Sequence, residues 1–305
     1  MRFDRRFDLP KLSIVFLNYN RLAETRKTVR HLQTLLKNRK DIEVIAVDNA
    51  SSDGTAEYLQ TLTDTLTVVN LDCNAGIAGL NAGFRRARGE YIMVLDDDSH
   101  PYDNAALDYL IECLDTRREV GVVACRIEDG EGRPVRTWHL PENDIPGTST
   151  AFVGCGFGIR RELFESVGWY PERFFLYQNE VEVAIRVRQK GWEIFYEPRC
   201  LVVHRESPGG RTNRRRVFFP TRNTIWIIRR YFPFPEAAYM IASRLCMGLI
   251  RAFQSGEFVF YTEAVKEAFS EPIERDILPR SLCRQFGVFR KQNSVLHQIV
   301  KALSK

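Results

Sequence analysis

The sequence holds only 19 Gly and 13 Pro in 305 residues, too few for a collagen-like or low-complexity chain. Its seven cysteines, at positions 73, 113, 125, 155, 200, 246 and 283, form an odd set without one C-x-x-C pair. That offers neither a disulfide framework nor a clustered zinc site, and a reducing compartment is expected. No apolar run approaches the ~18 to 20 residues that cross a bilayer. The longest weakly polar stretch, 237–250, is interrupted by Arg244. The basic N-terminus leads into an apolar run from Leu12 to Leu17 that contains Ser13 and ends at once in polar residues, so no secretory leader is expected. Internal repeats are also lacking.

What is present is a globular composition, with 44% hydrophobic, 27% charged and 11% aromatic residues. At roughly 150 residues per domain, the length allows two modest domains or one large α/β domain. The net charge of +5 is local: between 205 and 230 eight arginines face one acid, Glu206, which leaves the remainder of the chain slightly acidic. Short apolar runs at 12–18, 42–48, 66–71 and 91–98 alternate with helical patterns near 22–36, 55–62, 77–86 and 104–114. Continuous β-branched runs between helices predict buried parallel strands, hence a doubly wound α/β sheet. Runs at 121–129, 152–159 and 192–204, with helices at 162–167 and 180–190, extend it to a mixed sheet flanked by helices. Pro233 and Pro235 precede an amphipathic helix over 236–253. The expected division is an α/β domain over 1–220 and a helical C-terminal extension over 221–305.

Ligands of such sheets bind beyond the carboxyl ends of the strands. Here those ends read Asn18-Tyr19-Asn20, Asp48-Asn49 and Asp96-Asp97-Asp98. In extended backbone Asp96 and Asp98 face one side and Asp97 the other. Crowded carboxylates repel one another, and a divalent cation such as Mg²⁺ or Mn²⁺ relieves them. A solvated strand-to-helix turn with an Asp cap is the simpler reading of the same residues. The glycines from Asn74 to Gly83 open a helix, where close backbone approach and unpaired N–H groups suit a ligand, but they do not fit the dinucleotide fingerprint G-x-G-x-x-G.

Taken in order, VFLNYNR, AVDNASSDGT, NAGIAGLNAGFRRARGEYIMVLDDD, GCGFGIRRELFESVGWYPERFF and GWEIFYEPRCLVVH resemble family 2 glycosyltransferases of the GT-A fold, most of all the rhamnosyltransferase and galactofuranosyltransferase-like branch. The likeness covers about residues 11–225. It implies an inverting transfer of sugar from a UDP- or dTDP-linked donor to a glycan or lipid-linked acceptor in cell-surface polysaccharide synthesis. It further implies that Asp96, Asp98 and His204 hold Mn²⁺ or Mg²⁺, and that Asn18, Tyr19, Asp48, Gly76, Asn81, Asp96 and Asp97 line the donor. Glu180 then stands where the family places its base, while Trp169, Gly156 and Glu182 fall at the acceptor. The pattern departs from the family in having Asn179 where an acid is usual and Glu for Asp at 180 and 182. Without catalysis, Glu180 and Glu182 would simply favour a helix dipole.

The arginines at 211, 214, 215, 216 and 222 suit bidentate pairing with a diphosphate, Arg211 being assigned to the donor. Others would meet anionic headgroups, with helix 236–253 supplying an apolar face, so a cytoplasmic protein in peripheral contact with the inner membrane face is expected. Nucleic-acid binding is not expected, because it would need aromatics interleaved with the basic residues on a platform, whereas the Phe218-Phe219 pair lies beside one loop. A sugar nucleotidyltransferase and a non-catalytic carbohydrate-binding relative are the alternatives that share these features.

Overall fold

The four apolar runs of the first hundred residues pair as parallel strands because each is bounded by turn residues and followed by a short helix. In the computed structural model, which describes residues 9–205 and 213–303, they are β1 (Leu12–Asn18), β2 (Ile42–Asp48), β3 (Thr67–Asn70) and β4 (Tyr91–Asp96). The helices between and after them are α1 (Leu22–Leu35), α2 (Thr55–Gln60) and α3 (Leu80–Arg86). Next come β5 (Ser99–Pro101), α4 (Asn104–Thr116), β6 (Val120–Glu128), β7 (Gly147–Ser149), β8 (Gly156–Arg160), α5 (Arg161–Ser166), α6 (Asn179–Gln189) and β9 (Glu193–His204). The sheet order is β3-β2-β1-β4-β8-β6-β9-β5, with β7 beside β9. β8 is antiparallel to β4 and β6, which makes the sheet mixed, as expected.

Two units divide the chain, one of residues 1–172 with 183–209 and one of 173–182 with 210–305. In the first, alternation along the strands fills two layers. Leu12, Ile14 and Phe16 join Val29, Leu107 and Leu110 on one face, and Val15, Ile45 and Val47 join Phe84 and Phe164 on the other. Each such side chain contributes about 1.5–3 kcal/mol by leaving water. Gly83 sets how close α3 lies to the sheet, since a Cβ there would stand 2.6 Å from Val15 Cγ1 and 2.7 Å from Val47 Cγ2. The glycine-rich segment is therefore shaped by packing on the strands.

The second unit contains α7 (Asn213–Tyr231), α8 (Glu236–Ser255), α9 (Phe258–Ser270), α10 (Arg280–Gln285), α11 (Gly287–Gln292) and α12 (Val295–Leu303), with α7 packed on α8 and α9. Residues 220 and 221 lie inside α7. The latter half of the basic segment, which the sequence reading left without an assigned element, forms α7. Arginine is a good helix former, and Val217, Phe218, Thr221, Ile225 and Ile228 recur at helical spacing as a buried face. Among the described residues no helix is long and apolar enough to cross a membrane.

Candidate active site

Because β2, β1 and β4 are parallel, their carboxyl ends share one edge. The registers Asn18↔Asp48 and Leu17↔Asp96 set Asp48 and Asp96 on either side of β1. Two strand spacings separate them, about 10 Å. Asp48 is buried; its Oδ2 accepts the Ser51 N–H at 2.9 Å, while Oδ1 has no hydrogen-bond partner among the described residues. A buried acceptor without a donor is costly in an empty protein and suits a ligand that brings an N–H. Tyr19 follows half-buried at the end of β1. Asn18 serves the fold instead of a donor: its amide donates to Val47 O at 3.1 Å and accepts from Thr25 Oγ1 at 3.0 Å.

The strand carrying the three aspartates stops at Asp96. Asp97 and Asp98 form a turn, fastened by the Asp96 N–H donating to Ser99 Oγ at 2.8 Å, and β5 then runs back antiparallel to the end of β9. The extended-chain argument for Asp96 and Asp98 is corrected accordingly. What gathers the groups is strand pairing: Ser99 lies opposite His204, and the Arg205 N–H donates to Asp98 O at 3.0 Å. His204 Nε2 thereby stands 3.2 Å from Asp98 Oδ1. In β8, Gly156 lies opposite Leu95, which brings Cys155 level with Asp96. One ligand atom from each of Asp96, Cys155 and His204 falls within 4.8 Å of the others. An oxygen, an imidazole nitrogen and a sulfur so placed are a donor set for a divalent transition metal.

Two of the aspartates are engaged by an arginine that sequence reading passed over. Arg21 donates through Nη1 to Asp97 Oδ1 at 2.6 Å and through Nη2 to Asp98 Oδ2 at 2.7 Å. The Asp97 carboxylate, expected at the donor, is thus 6% exposed and held by Arg21. Burial, with repulsion from Asp98, Asp96 and Glu24, pushes it up to about 8 against the pull of Arg21. Asp98, expected as a direct metal ligand, lies between Arg21 and His204, where it can orient the imidazole. Those two partners hold its carboxyl well below the usual range despite burial. Arg205 is likewise internal, donating to Glu24 Oε2 at 3.0 Å and Thr28 Oγ1 at 2.7 Å. The only sequence signal for Arg21 was its place directly after Asn18-Tyr19-Asn20.

Burial alone would lower the His204 pKa, but its contacts with Asp98 and Cys155 raise it to about 11. A raised folded-state value stabilises most below the unfolded value near 6.5, and the contribution fades as pH climbs toward 11. In metal-free protein, melting temperature is therefore expected to fall from pH 7 to 10. His204→Gln should flatten that slope, and an unchanged slope in the variant would assign it to other groups.

Four more residues expected at the ligand also make contacts within the fold. Asn81, expected at the donor, clasps the Tyr170 backbone with its amide, donating to Tyr170 O at 3.0 Å and accepting from its N–H at 3.1 Å. Gly76 takes φ +63° and its carbonyl accepts from Asn49 Nδ2 at 3.0 Å. At Gly156 a Cβ would stand 2.6 Å from Ile127 Cδ1, a core side chain, so packing by itself requires a glycine there. The Trp169 ring packs 5.0 Å from Phe164 and 5.6 Å from Phe84 in an aromatic cluster, although it remains half-exposed.

In the second unit, α6 begins with Asn179 and Glu180. The approach to it is a tight loop in which Phe175, Tyr177 and Gln178 adopt φ of +60°, +66° and +67°. Asn223 of α7 holds this loop, its Nδ2 donating to the carbonyls of Phe174, Leu176 and Tyr177 at 3.0, 2.8 and 2.9 Å. Arg222 donates to Phe174 O at 2.9 Å and pairs with Glu267 at 2.7 Å. With 5% exposure, Arg222 is a support for the loop and not a diphosphate clamp. Glu182, expected at the acceptor, is 4% exposed and accepts the Tyr231 O–H at 3.0 Å, which turns it toward α7. Glu180 is half-buried in the first turn of α6. Arg211 lies outside the described residues, as do the side chains of residues 214–216.

Comparison with known proteins places this arrangement. YdaM of Bacillus subtilis, a probable glycosyltransferase, is 24% identical over 219 residues, 65% of this chain and 51% of that protein. The poly-beta-1,6-N-acetyl-D-glucosamine synthase of Staphylococcus epidermidis is 24% identical over 221 residues, 67% of this chain and 52% of the synthase. The chain spans about half the length of these curated relatives. The mannosyltransferase PcManGT of Pyrobaculum calidifontis, solved with GDP-Man and Mn²⁺, matches with a TM-score of 0.61 at 19% identity, over 87% of this chain and 88% of that one. The fold is GT-A. The glycosyl transferase family 2 model matches residues 13–182, a span that runs from β1 through the strand-end aspartates to the start of α6 and covers more than half of the sequence, and the chain belongs to that family.

Proposed function

We propose that the protein is an inverting, metal-dependent glycosyltransferase that moves a sugar from a nucleoside-diphosphate donor to a hydroxyl of a glycan or lipid-linked acceptor. The observation that carries this reading is the 3.2 Å approach of His204 to Asp98, beside Asp96 at the carboxyl ends of the strands. Residues more than a hundred positions apart have no packing reason to concentrate carboxylates and an imidazole there. Asp96 and His204 would hold the cation, with Asp98 orienting His204. A bound divalent cation offsets the negative charge that gathers on the departing diphosphate. Asp48 accepts an N–H from the base through its unpartnered Oδ1, and Tyr19 packs along the base. Glu180 takes the proton of the acceptor hydroxyl as its oxygen attacks the anomeric carbon from the face opposite the leaving group, which inverts configuration.

For the donor we favour a UDP- or dTDP-linked sugar, on the resemblance of the motifs to family 2 glycosyltransferases. PcManGT was solved with Mn²⁺, which supports a divalent cation, and the S. epidermidis relative is named as a polysaccharide synthase, which supports a glycan product. We place the enzyme in the cytoplasm, with exposed Phe253, Leu296 and Val300 on its C-terminal helices suited to the membrane face. A thermal-shift panel of nucleoside diphosphates and their sugars with Mn²⁺ or Mg²⁺ tests the reading. Ligand at about 100 times Kd adds about 2.7 kcal/mol of stability. One nucleotide series should raise the melting temperature of the parent, and Asp48→Ala should abolish the preference among bases. A flat panel, or a variant as selective as the parent, would overturn it.

A further inference from the structure

Cys155 lies against the cation-binding groups but belongs to no motif that sequence reading connected with a metal. It is 4% exposed, the last residue of the turn that leads into β8. Its carbonyl accepts from Ser99 Oγ at 3.1 Å, which ties it to the same turn that presents Asp98. Strand register sets it level with Asp96, and its Sγ is within 4.8 Å of a ligand atom of Asp96 and of His204. Cys155 shares the apolar layer of Cys113, Cys125 and Cys200, and among the described cysteines it is the one whose Sγ also lies beside Asp96 and His204.

We propose that Cys155 is a third metal-binding residue, and that the site is a mixed oxygen, nitrogen and sulfur centre which takes thiophilic divalent cations such as Co²⁺, Zn²⁺ or Cd²⁺ in preference to Mg²⁺. The inference rests on the reading that Asp96 and His204 hold a cation. Mg²⁺ demands near-octahedral oxygen donors and binds poorly to imidazole and sulfur, whereas thiolate with imidazole suits Zn²⁺ and its chemical neighbours. On binding, the Cys155 S–H bond breaks as the sulfur–metal bond forms, and the proton passes to water with no change of oxidation state. The protein's interior position for Cys155 keeps the sulfur out of contact with solvent oxidants until a cation enters.

The test adds Co²⁺ to full-length protein in which the exposed Cys73 and Cys246 are replaced by Ser, and records the near-ultraviolet thiolate-to-cobalt charge-transfer band. The band should appear at one equivalent and be lost in Cys155→Ser, and Mg²⁺ in excess should not displace the cobalt. Cadmium NMR of the unsubstituted protein gives a second readout that needs no change at Cys155, with sulfur ligation shifting the resonance strongly downfield. Cobalt that binds without the band, a band undiminished in the variant, or a cadmium signal typical of oxygen and nitrogen ligands each overturns the proposal. Mn²⁺ binding followed by electron paramagnetic resonance separates the two levels. If Mn²⁺ binds and is lost in His204→Ala while no sulfur signal appears, the thiol assignment fails and the enzyme reading stands. If neither Mn²⁺ nor Co²⁺ binds, both fail.

Discussion

Glu180→Gln is expected to lower kcat by about 10²–10⁴-fold, the usual worth of a positioned general base, while leaving the nucleotide-induced rise in melting temperature unchanged. The amide keeps the size and polarity of the side chain and removes only its capacity to accept a proton. Glu180→Asp should retain part of the activity, because a carboxylate remains but sits about one C–C bond short. Glu182→Gln is the internal control. Glu182 is buried against the Tyr231 hydroxyl, so its loss of charge should appear in stability more than in turnover. Steady-state rates beside thermal-shift curves decide the matter. A dead Glu182→Gln with a fully active Glu180→Gln would move the base one step along the helix.

Asn223→Ala should be the most destabilising of the substitutions considered, because one side-chain amide serves three loop carbonyls and is fully buried. Phe174 O keeps the Arg222 and Leu176 donors, while the part-buried carbonyls of Leu176 and Tyr177 lose theirs, and a buried polar group left without a partner costs about 1–3 kcal/mol. The loop it holds has three non-glycine residues at positive φ, each about 1–3 kcal/mol above relaxed backbone, so release of the clasp lets the loop relax. Since that loop leads directly into Asn179 and Glu180, turnover should fall along with stability. Urea denaturation is expected to show a loss of about 1–3 kcal/mol. Asn223→Asp has the same size but no N–H, and it should fall as far. If it is as stable as the parent, the three hydrogen bonds are not what holds the loop.

Much of the site was legible in the linear chain, for a local reason. A parallel strand buried on both faces announces itself as an apolar run, and the polar residue ending it must lie at the carboxyl edge. Asp48 and Asp96 were located on that logic, and His204 by the same logic together with the family resemblance. What the linear chain did not show is where an expected ligand group also has a partner inside the fold. Asn18, Asn81, Gly156, Arg222 and Glu182 each satisfy a backbone or packing need that arises from distant residues, Val47, Tyr170, Ile127, Phe174 and Tyr231 in turn. Nothing in a run of sequence distinguishes a polar side chain aimed at a ligand from one aimed at a carbonyl.

The sequence by itself determined the buried parallel strands of the first half, the mixed α/β class and the family, because periodicity and turn chemistry act over a few residues. Only the tertiary structure decided the composition of the cation cluster. Cys155 meets Asp96 through an antiparallel pairing, and His204 meets Asp98 through another, so the donors converge by hydrogen-bond register between strands that are remote in the chain. Arg21 could likewise be recognised as the partner of Asp97 and Asp98 only when the turn after β4 had brought those two carboxylates to the end of β1.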